Sequence, residues 1–324
     1  MKTTRLLILL TSLLALASCG DDEQIIPAPT PTNISNTGAN ENRNTTGPTE
    51  ARTRYEFPKL KGGDNTIIVH KATLNDKTGE KGVNYCVEWD PTLRSQRWSC
   101  YQLHRNISRS SDSKLNVGRY NADNDGSLSS ICQYPNDPEL AANYPFTADP
   151  FKYSGYDHGH ICPSADRQRA TEANYQTFFI TNMQPQYNKF NAGLWEKMEE
   201  DVRTWANEAD TLYVCKGGTI DSPANILEYV NQNNHQQTRT SNNLIPVPRY
   251  FFMAVLSKNG SELKALGYWV RNLNENHEND NRQGYAISID KLEDLTGIDF
   301  FCNLPDDIEK EVEQTLTLSK WSFK

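Results

Sequence analysis

Tyr156-Asp157-His158-Gly159-His160, running on into Ile161-Cys162-Pro163-Ser164-Ala165-Asp166-Arg167, is the stretch that decides the reading of this chain. It gathers two imidazoles, two carboxylates and a guanidinium around a glycine, and it has little of the apolar repeat that a core element needs. Downstream stand Asn182-Met183-Gln184-Pro185-Gln186, then Phe190-Asn191-Ala192-Gly193-Leu194-Trp195, then Met198-Glu199-Glu200-Asp201-Val202-Arg203. These segments supply amides, a carboxylate and a second guanidinium. Together they offer a base, a hard-cation donor and an anion clamp.

Imidazole is the side chain best able to accept a proton near neutrality, with an ordinary pKa of about 6.5. His160 is therefore the candidate base, the alternative being a structural histidine bonded within a turn. His158, two residues earlier, shares a face with His160 if the segment is extended, and reads as a second ligand, a phosphate contact or a surface residue. Asn191 offers a carbonyl oxygen suited to Mg²⁺, an ion that keeps several waters and often takes one or two protein ligands. Glu199 follows eight residues later, about 12 Å along an unbroken helix. It is thus expected to act on the ion through a water. Arg203, one turn beyond Glu199, either pairs with that carboxylate or holds a phosphate. Asn182 and Gln186 flank Pro185 after an expected strand, where amides support a site more readily than they react.

The chain has 324 residues and a formal net charge of −8, which argues against a broad basic surface but not against a local anion site. Its first residues combine Lys2 and Arg5, an apolar block from Leu6 to Leu16, and Leu16-Ala17-Ser18-Cys19. That order is expected of a signal peptide over 1–18, too short to span a bilayer, cut before a lipid-bearing Cys19 as in a bacterial lipoprotein. The expected location is the outer membrane or cell surface of a bacterium, with the membrane engaged through that lipid. Residues 19–54, rich in Asp, Pro, Thr and Asn and poor in aromatics, are expected to form a disordered tether. Residues 55–324 are long enough for one large domain. Six further cysteines in an exported chain favour disulfides, with Cys86 and Cys100 placed on two expected strands.

Alternation of β-branched and aromatic residues predicts strands at 65–70, 84–89, 97–103, 177–182, 211–216, 249–257 and 265–270. Steps of three or four between Leu194, Met198, Val202 and Trp205 predict a helix over 192–206. Shorter helices are expected at 306–318 and from Ile289, with Asp290 as its cap. Strands and helices do not alternate regularly, so the class is α+β. The Asn-rich run from Asn231 to Asn243 reads as an exposed loop.

The segments around Asp157-His158-Gly159-His160, Asn182 to Gln186, and Asn191 through Glu199 and Arg203 resemble the ββα-metal (His-Me finger) family of non-specific DNA/RNA endonucleases. That family includes Serratia-type and endonuclease G-like enzymes. The resemblance extends over roughly 65–304, including Leu292-Glu293-Asp294-Leu295-Thr296-Gly297 near its end. It implies a ββα-metal fold with a central mixed or antiparallel sheet flanked by helices, and metal-dependent hydrolysis of DNA and RNA without sequence preference. It further implies that His160 activates water and that Asn191 is the direct protein ligand of Mg²⁺, for which Mn²⁺ or another divalent ion can substitute. Glu199 would orient water on that ion, Arg203 would stabilise phosphate charge, and Asp157, Asn182 and Gln186 would support the site.

Arg119 matches an upstream arginine of the family that contacts phosphate. One departure is plain: the family writes Asp-Arg-Gly-His, and His158 stands at the arginine. Imidazole lacks the guanidinium fork and permanent charge, so His158 is expected to bind substrate as a cation at mildly acidic pH, or Arg167 to replace the missing fork. A non-catalytic nucleic-acid-binding lipoprotein is the alternative in another class. A zinc hydrolase built on Asp157, His158, His160 and Cys162 is a further one. Nothing in the sequence decides the oligomeric state.

Overall fold

The computed structural model describes residues 38–122, 133–140, 146 and 148–324. The expected signal peptide, Cys19 and Cys132 lie outside the described residues. Among those described, the strands β1 (Thr66–Asn75), β2 (Glu80–Asp90), β3 (Ser95–Leu103), β6 (Thr211–Gly218), β10 (Tyr250–Asn259), β11 (Glu262–Arg271) and β12 (Ala286–Ile287) form a 7-stranded sheet in the order β1-β2-β3-β6-β10-β11-β12. Every pairing in it is antiparallel. β4 (Asp157–His160) and β5 (Met183–Gln186) make a separate antiparallel ribbon. β7 (Ile226–Asn231), β8 (Asn234–Gln236) and β9 (Ile245–Pro248) make a third small sheet, so part of the Asn-rich run is an exposed hairpin rather than a loop.

The large sheet is buried on both faces, and its two-residue period sorts the side chains between two cores. On one face Tyr85, Val87, Tyr101, Leu212, Val214 and Met253 pack with Met198, Val202 and Trp205 of helix α2 (Glu196–Glu208). On the other, Cys86, Trp98, Cys100, Phe252 and Ala254 pack with Ile289 and Leu292 of α3 (Ile289–Thr296) and Val312 of α4 (Asp306–Gln314). The remaining helix, α1 (Thr171–Gln176), packs against β1.

Four expectations need correction. Residues 177–182 are not a strand: Phe178, Phe179 and Ile180 are all buried, without alternation, and the chain curls into a tight 3-10 turn at Ile180–Asn182 before β5 begins. The helix expected over 192–206 opens instead as a wide π turn, Phe190–Trp195, that is non-helical at Gly193. Helix α3 is capped by Ser288, which accepts from the Lys291 N–H, and not by Asp290. Cys86 and Cys100 do face each other across β2 and β3, yet all five described cysteines are buried free thiols.

The expected tether also ends earlier than residue 54. Ala51 is fully buried. Asn44 donates from Nδ2 to the Pro58 carbonyl at 2.9 Å and accepts from the Leu60 N–H at 3.1 Å. Composition missed this because the stretch is tied down by amide hydrogen bonds rather than by apolar bulk. A chain beginning at Gly38 is therefore expected to melt about 5 °C above one beginning at Tyr55. Equal melting temperatures by calorimetry would mean that residues 38–54 add nothing to the fold.

Candidate active site

β4 and β5 pair with His160 opposite Met183 and Gly159 opposite Gln184. The ribbon is pressed so closely together that a Cβ at Gly159 would lie 2.3 Å from Gln186 Cδ, and only glycine leaves that room. Gln186 packs there with neither polar atom hydrogen-bonded, so its contribution is shape. Asn182 is fully buried and fixes the exit of β4: its Oδ1 accepts from the Cys162 N–H at 2.9 Å, and its Nδ2 donates to the carbonyls of Cys162 at 2.9 Å and Thr177 at 2.8 Å. Gln184 joins the ribbon to the large sheet. It donates to the Gln96 carbonyl at 2.9 Å and accepts from the Gly218 N–H at 2.6 Å.

On this frame Arg119, His160, Asn191, Glu199 and Arg203 line one cleft, together with Ser164 and Glu196. His160 Nε2 is enclosed and without a hydrogen-bond partner. Burial, then the positive charges of Arg119 and of His158 if protonated, hold its pKa down at about 3. Its ring stands edge-on to Phe178, 4.8 Å between centroids. The imidazole is thus neutral, the form a general base requires.

Asn191 sits on the π turn, where its Nδ2 donates to Asp157 Oδ2 at 3.0 Å. A carboxylate only accepts, so the amide is oriented with its oxygen turned from Asp157. That leaves Oδ1 as a free hard donor in the cleft. The kink before α2 also resolves the spacing problem: Asn191 and Glu199 do not lie on one straight helix, and both reach the same cleft.

Glu199 and Arg203 belong to a buried charge network and are not a solvated pair. Lys216 Nζ lies 2.6 Å from Glu199 Oε1, and Arg203 lies 3.0 Å from Asp166 and 4.0 Å from Glu199. Tyr101 donates to the second Asp166 oxygen at 2.8 Å. Burial pushes the Glu199 carboxyl up against the pull of Lys216 and Arg203. Burial also works against the Arg203 charge, but Asp166 and Glu199 more than offset it and its pKa is raised.

Lys216 was not among the residues expected from sequence. It shares the β6 face of Leu212 and Val214, is 1% exposed and stacks on Trp195 at 4.9 Å, so the signal was a lysine at a core-facing position of a strand.

Two expectations about the anion contacts change. Arg167 is fully buried and bonded to Asn84 Oδ1 at 2.7 Å and to the carbonyls of Asn84 and Gln102, so it serves the fold and cannot replace a missing fork. His158 bonds Asp149 at 2.9 Å and stacks on Tyr134 with centroids 3.6 Å apart, outside the residues that line the cleft. Its carboxylate partner and its aromatic neighbours already occupy it. Arg119 does line the cleft, with its guanidinium 4.6 Å above the Phe178 ring. The zinc grouping also fails: among the described residues Asp157, His158, His160 and Cys162 do not converge as ligands, and burial pushes the Cys162 thiol up to about 12.

Residues 63–307 match the family described as DNA/RNA non-specific endonuclease. The chain belongs to this family. Among its relatives, a nuclease of Nostoc sp. is 32% identical over 174 residues, 52% of this chain and 58% of that protein. Mitochondrial endonuclease G of Bos taurus is 24% identical, covering 68% of each chain. Nuclease EXOG of Xenopus laevis is 23% identical, with 69% of this chain and 58% of that protein covered. The crystal structure of an EndoG/EndoGI complex superposes with a TM-score of 0.54 over 68% of this chain and 84% of that one, at 20% identity. The fold is accordingly the ββα-metal endonuclease fold, in which the β4–β5 ribbon and the following helix carry the cleft.

Because the folded pKa of His160 is depressed, its contribution to stability is complete above about pH 6.5 and is lost as pH falls towards 3. Between pH 7.5 and 4, the family member is expected to lose stability more steeply than its His160→Asn variant. Parallel melting curves across that range would contradict the neutral imidazole.

Proposed function

We propose that this chain is a metal-dependent endonuclease that hydrolyses phosphodiester bonds in both DNA and RNA with little sequence preference. The observation that carries the reading is the pairing, in one cleft, of the His160 imidazole and an Asn191 amide oxygen freed by the hydrogen bond of its nitrogen to Asp157. Family membership supports the reaction class. The names of the relatives, nuclease and endonuclease, point the same way.

The donor set fits a hard divalent ion, Mg²⁺ in this reading, with Mn²⁺ able to replace it. Asn191 Oδ1 is a neutral oxygen in a cleft that also holds Glu199 and Glu196, the kind of sparse oxygen site Mg²⁺ accepts. When bound, the ion supplies positive charge to the phosphate and the leaving oxygen. His160, whose ring lines the cleft, takes the proton from the attacking water. Arg203 and Arg119 set two guanidinium groups around the cleft, where they offset charge that grows in the transition state. Arg203 is held for this by Asp166, and Lys216 keeps Glu199 in place behind it. Glu199 thus acts by orienting water from a fixed carboxylate.

Plasmid and RNA cleavage by residues 38–324 is expected with Mg²⁺ and not with EDTA, and His160→Ala is expected to lower it by about 10²–10⁴-fold. Asn191→Ala should lower it comparably. Nucleic acid that is bound in a gel shift but uncut under any divalent metal would make the chain a binding protein. Activity restored by Zn²⁺ where Mg²⁺ fails would point to a different donor set.

The amino-terminal reading is a separate part of the proposal. It rests on the Leu16-Ala17-Ser18-Cys19 order after an apolar block, and it places the enzyme as a lipoprotein on the exported side of a bacterial membrane. Cys19→Ser is expected to move the full chain from the membrane fraction to the soluble fraction. Unchanged membrane association would remove the lipid anchor.

A further inference from the structure

Away from the cleft, on the sheet face that packs against α3 and α4, three carboxylates converge. Asp290 and Glu293 lie one turn apart on α3, Glu313 lies on α4, and the three offer oxygens all within 4.8 Å of one another. Glu313 is 7% exposed and its Oε1 is buried with no hydrogen-bond partner. Among the described residues no lysine, arginine or histidine pairs with any of the three; Lys291, beside them in sequence, pairs with Asp294 instead. Glu309 and Asp299 add negative charge nearby, bridged by the neutral amide of Asn42 and drawn on by the charge of Lys59. Burial, and then the neighbouring carboxylates, push Glu313 up to about 10; burial also pushes Glu293 up to about 8, against the pull of the Phe300 N–H that its Oε1 accepts at 2.7 Å.

We propose that Asp290, Glu293 and Glu313 form a structural calcium site that ties α3 to α4, distinct from the catalytic cleft. Each residue offers a carboxylate and none offers nitrogen or sulfur, which selects a hard cation. An unpartnered buried oxygen aimed into the cluster is costly unless something positive meets it. Oxygens around one Ca²⁺ sit at about 2.3–2.6 Å, so three carboxylate oxygens all within 4.8 Å of one another are close enough to share one such ion. Mg²⁺ demands near-ideal octahedral order at about 2.0–2.1 Å, which two helices carrying three bulky carboxylates do not impose. The competing state is one in which the carboxyls hold protons in place of an ion. Only the first of these states is stabilised by calcium at neutral pH.

The test uses protein stripped with EDTA and dialysed, at pH 7.5, with calcium chloride added during thermal melting and calorimetric titration. Wild type and Asn191→Ala, which lacks the donor in the cleft, are compared with Glu313→Gln and Asp290→Asn. Calcium is expected to raise the melting temperature by about 5 °C in wild type and in Asn191→Ala, with Mg²⁺ giving a smaller rise. Glu313→Gln and Asp290→Asn should lose that rise and bind one equivalent fewer. Without calcium, Glu313→Gln should melt no lower than wild type, since it removes repulsion. A calcium rise that survives in both carboxylate variants, or that is absent from Asn191→Ala, would overturn the site and leave protonated carboxyls as the state of the cluster. Because melting and titration are read without substrate, the outcome is independent of whether the cleft cuts nucleic acid.

Discussion

The hydrogen bond from Asn191 Nδ2 to Asp157 Oδ2 is the contact on which the cleft depends. It joins the β4–β5 ribbon to the π turn that leads into α2, two elements that have no backbone pairing with each other. It also removes the ambiguity of the amide, because a carboxylate accepts and does not donate. Without it Asn191 could present either its nitrogen or its oxygen to the cleft. With it the oxygen is presented, and His160, three residues after Asp157, is held on the same ribbon.

Around that contact the protein keeps charge in balance while burying much of it. Lys216, Glu199, Arg203 and Asp166 form a chain of alternating sign behind the cleft, with side chains 1%, 13%, 14% and 0% exposed. Removing any one of these would leave a neighbour buried and uncompensated, which typically costs about 3–5 kcal/mol. With this quartet balanced, Arg119 is the further cation of the cleft lining, set against Glu196. In the proposed reaction its guanidinium meets an anionic phosphate. His160 is kept neutral by burial first and by Arg119 second, so the group that faces the phosphate also helps to preserve the base.

Much of this was legible in the sequence because the chemistry is local. His160, Asn191, Glu199 and Arg203 lie in short ordered motifs, and the alternation of β2, β3, β6, β10 and β11 showed where the sheet runs. What was not legible depends on partners far away in the chain. Arg167 looked like a spare guanidinium until Asn84, 83 residues distant, was found to hold it. His158 looked free until Asp149 and Tyr134 were found around it. Lys216 reads as the end of a strand, and its pairing with Glu199 becomes visible only when β6 lies beneath α2. The segment 177–182 carried strand-forming residues, but Asn182 bonds back to the Thr177 carbonyl and curls the chain. In the first three cases a contact made by the folded chain overrode the local reading, and in the last a hydrogen bond five residues back did so.

In the proposed mechanism the freed Asn191 oxygen is the protein's hold on the catalytic ion. The direct measurement is a crystal structure with Mn²⁺ in place of Mg²⁺, in which the ion is located by its anomalous scattering. A peak bonded to Asn191 Oδ1, with Asn191 Nδ2 still on Asp157 and no other protein ligand in direct contact, is the expected result. A peak on His158, His160 or Cys162, or an Asn191 amide turned with its nitrogen to the cleft, would contradict it.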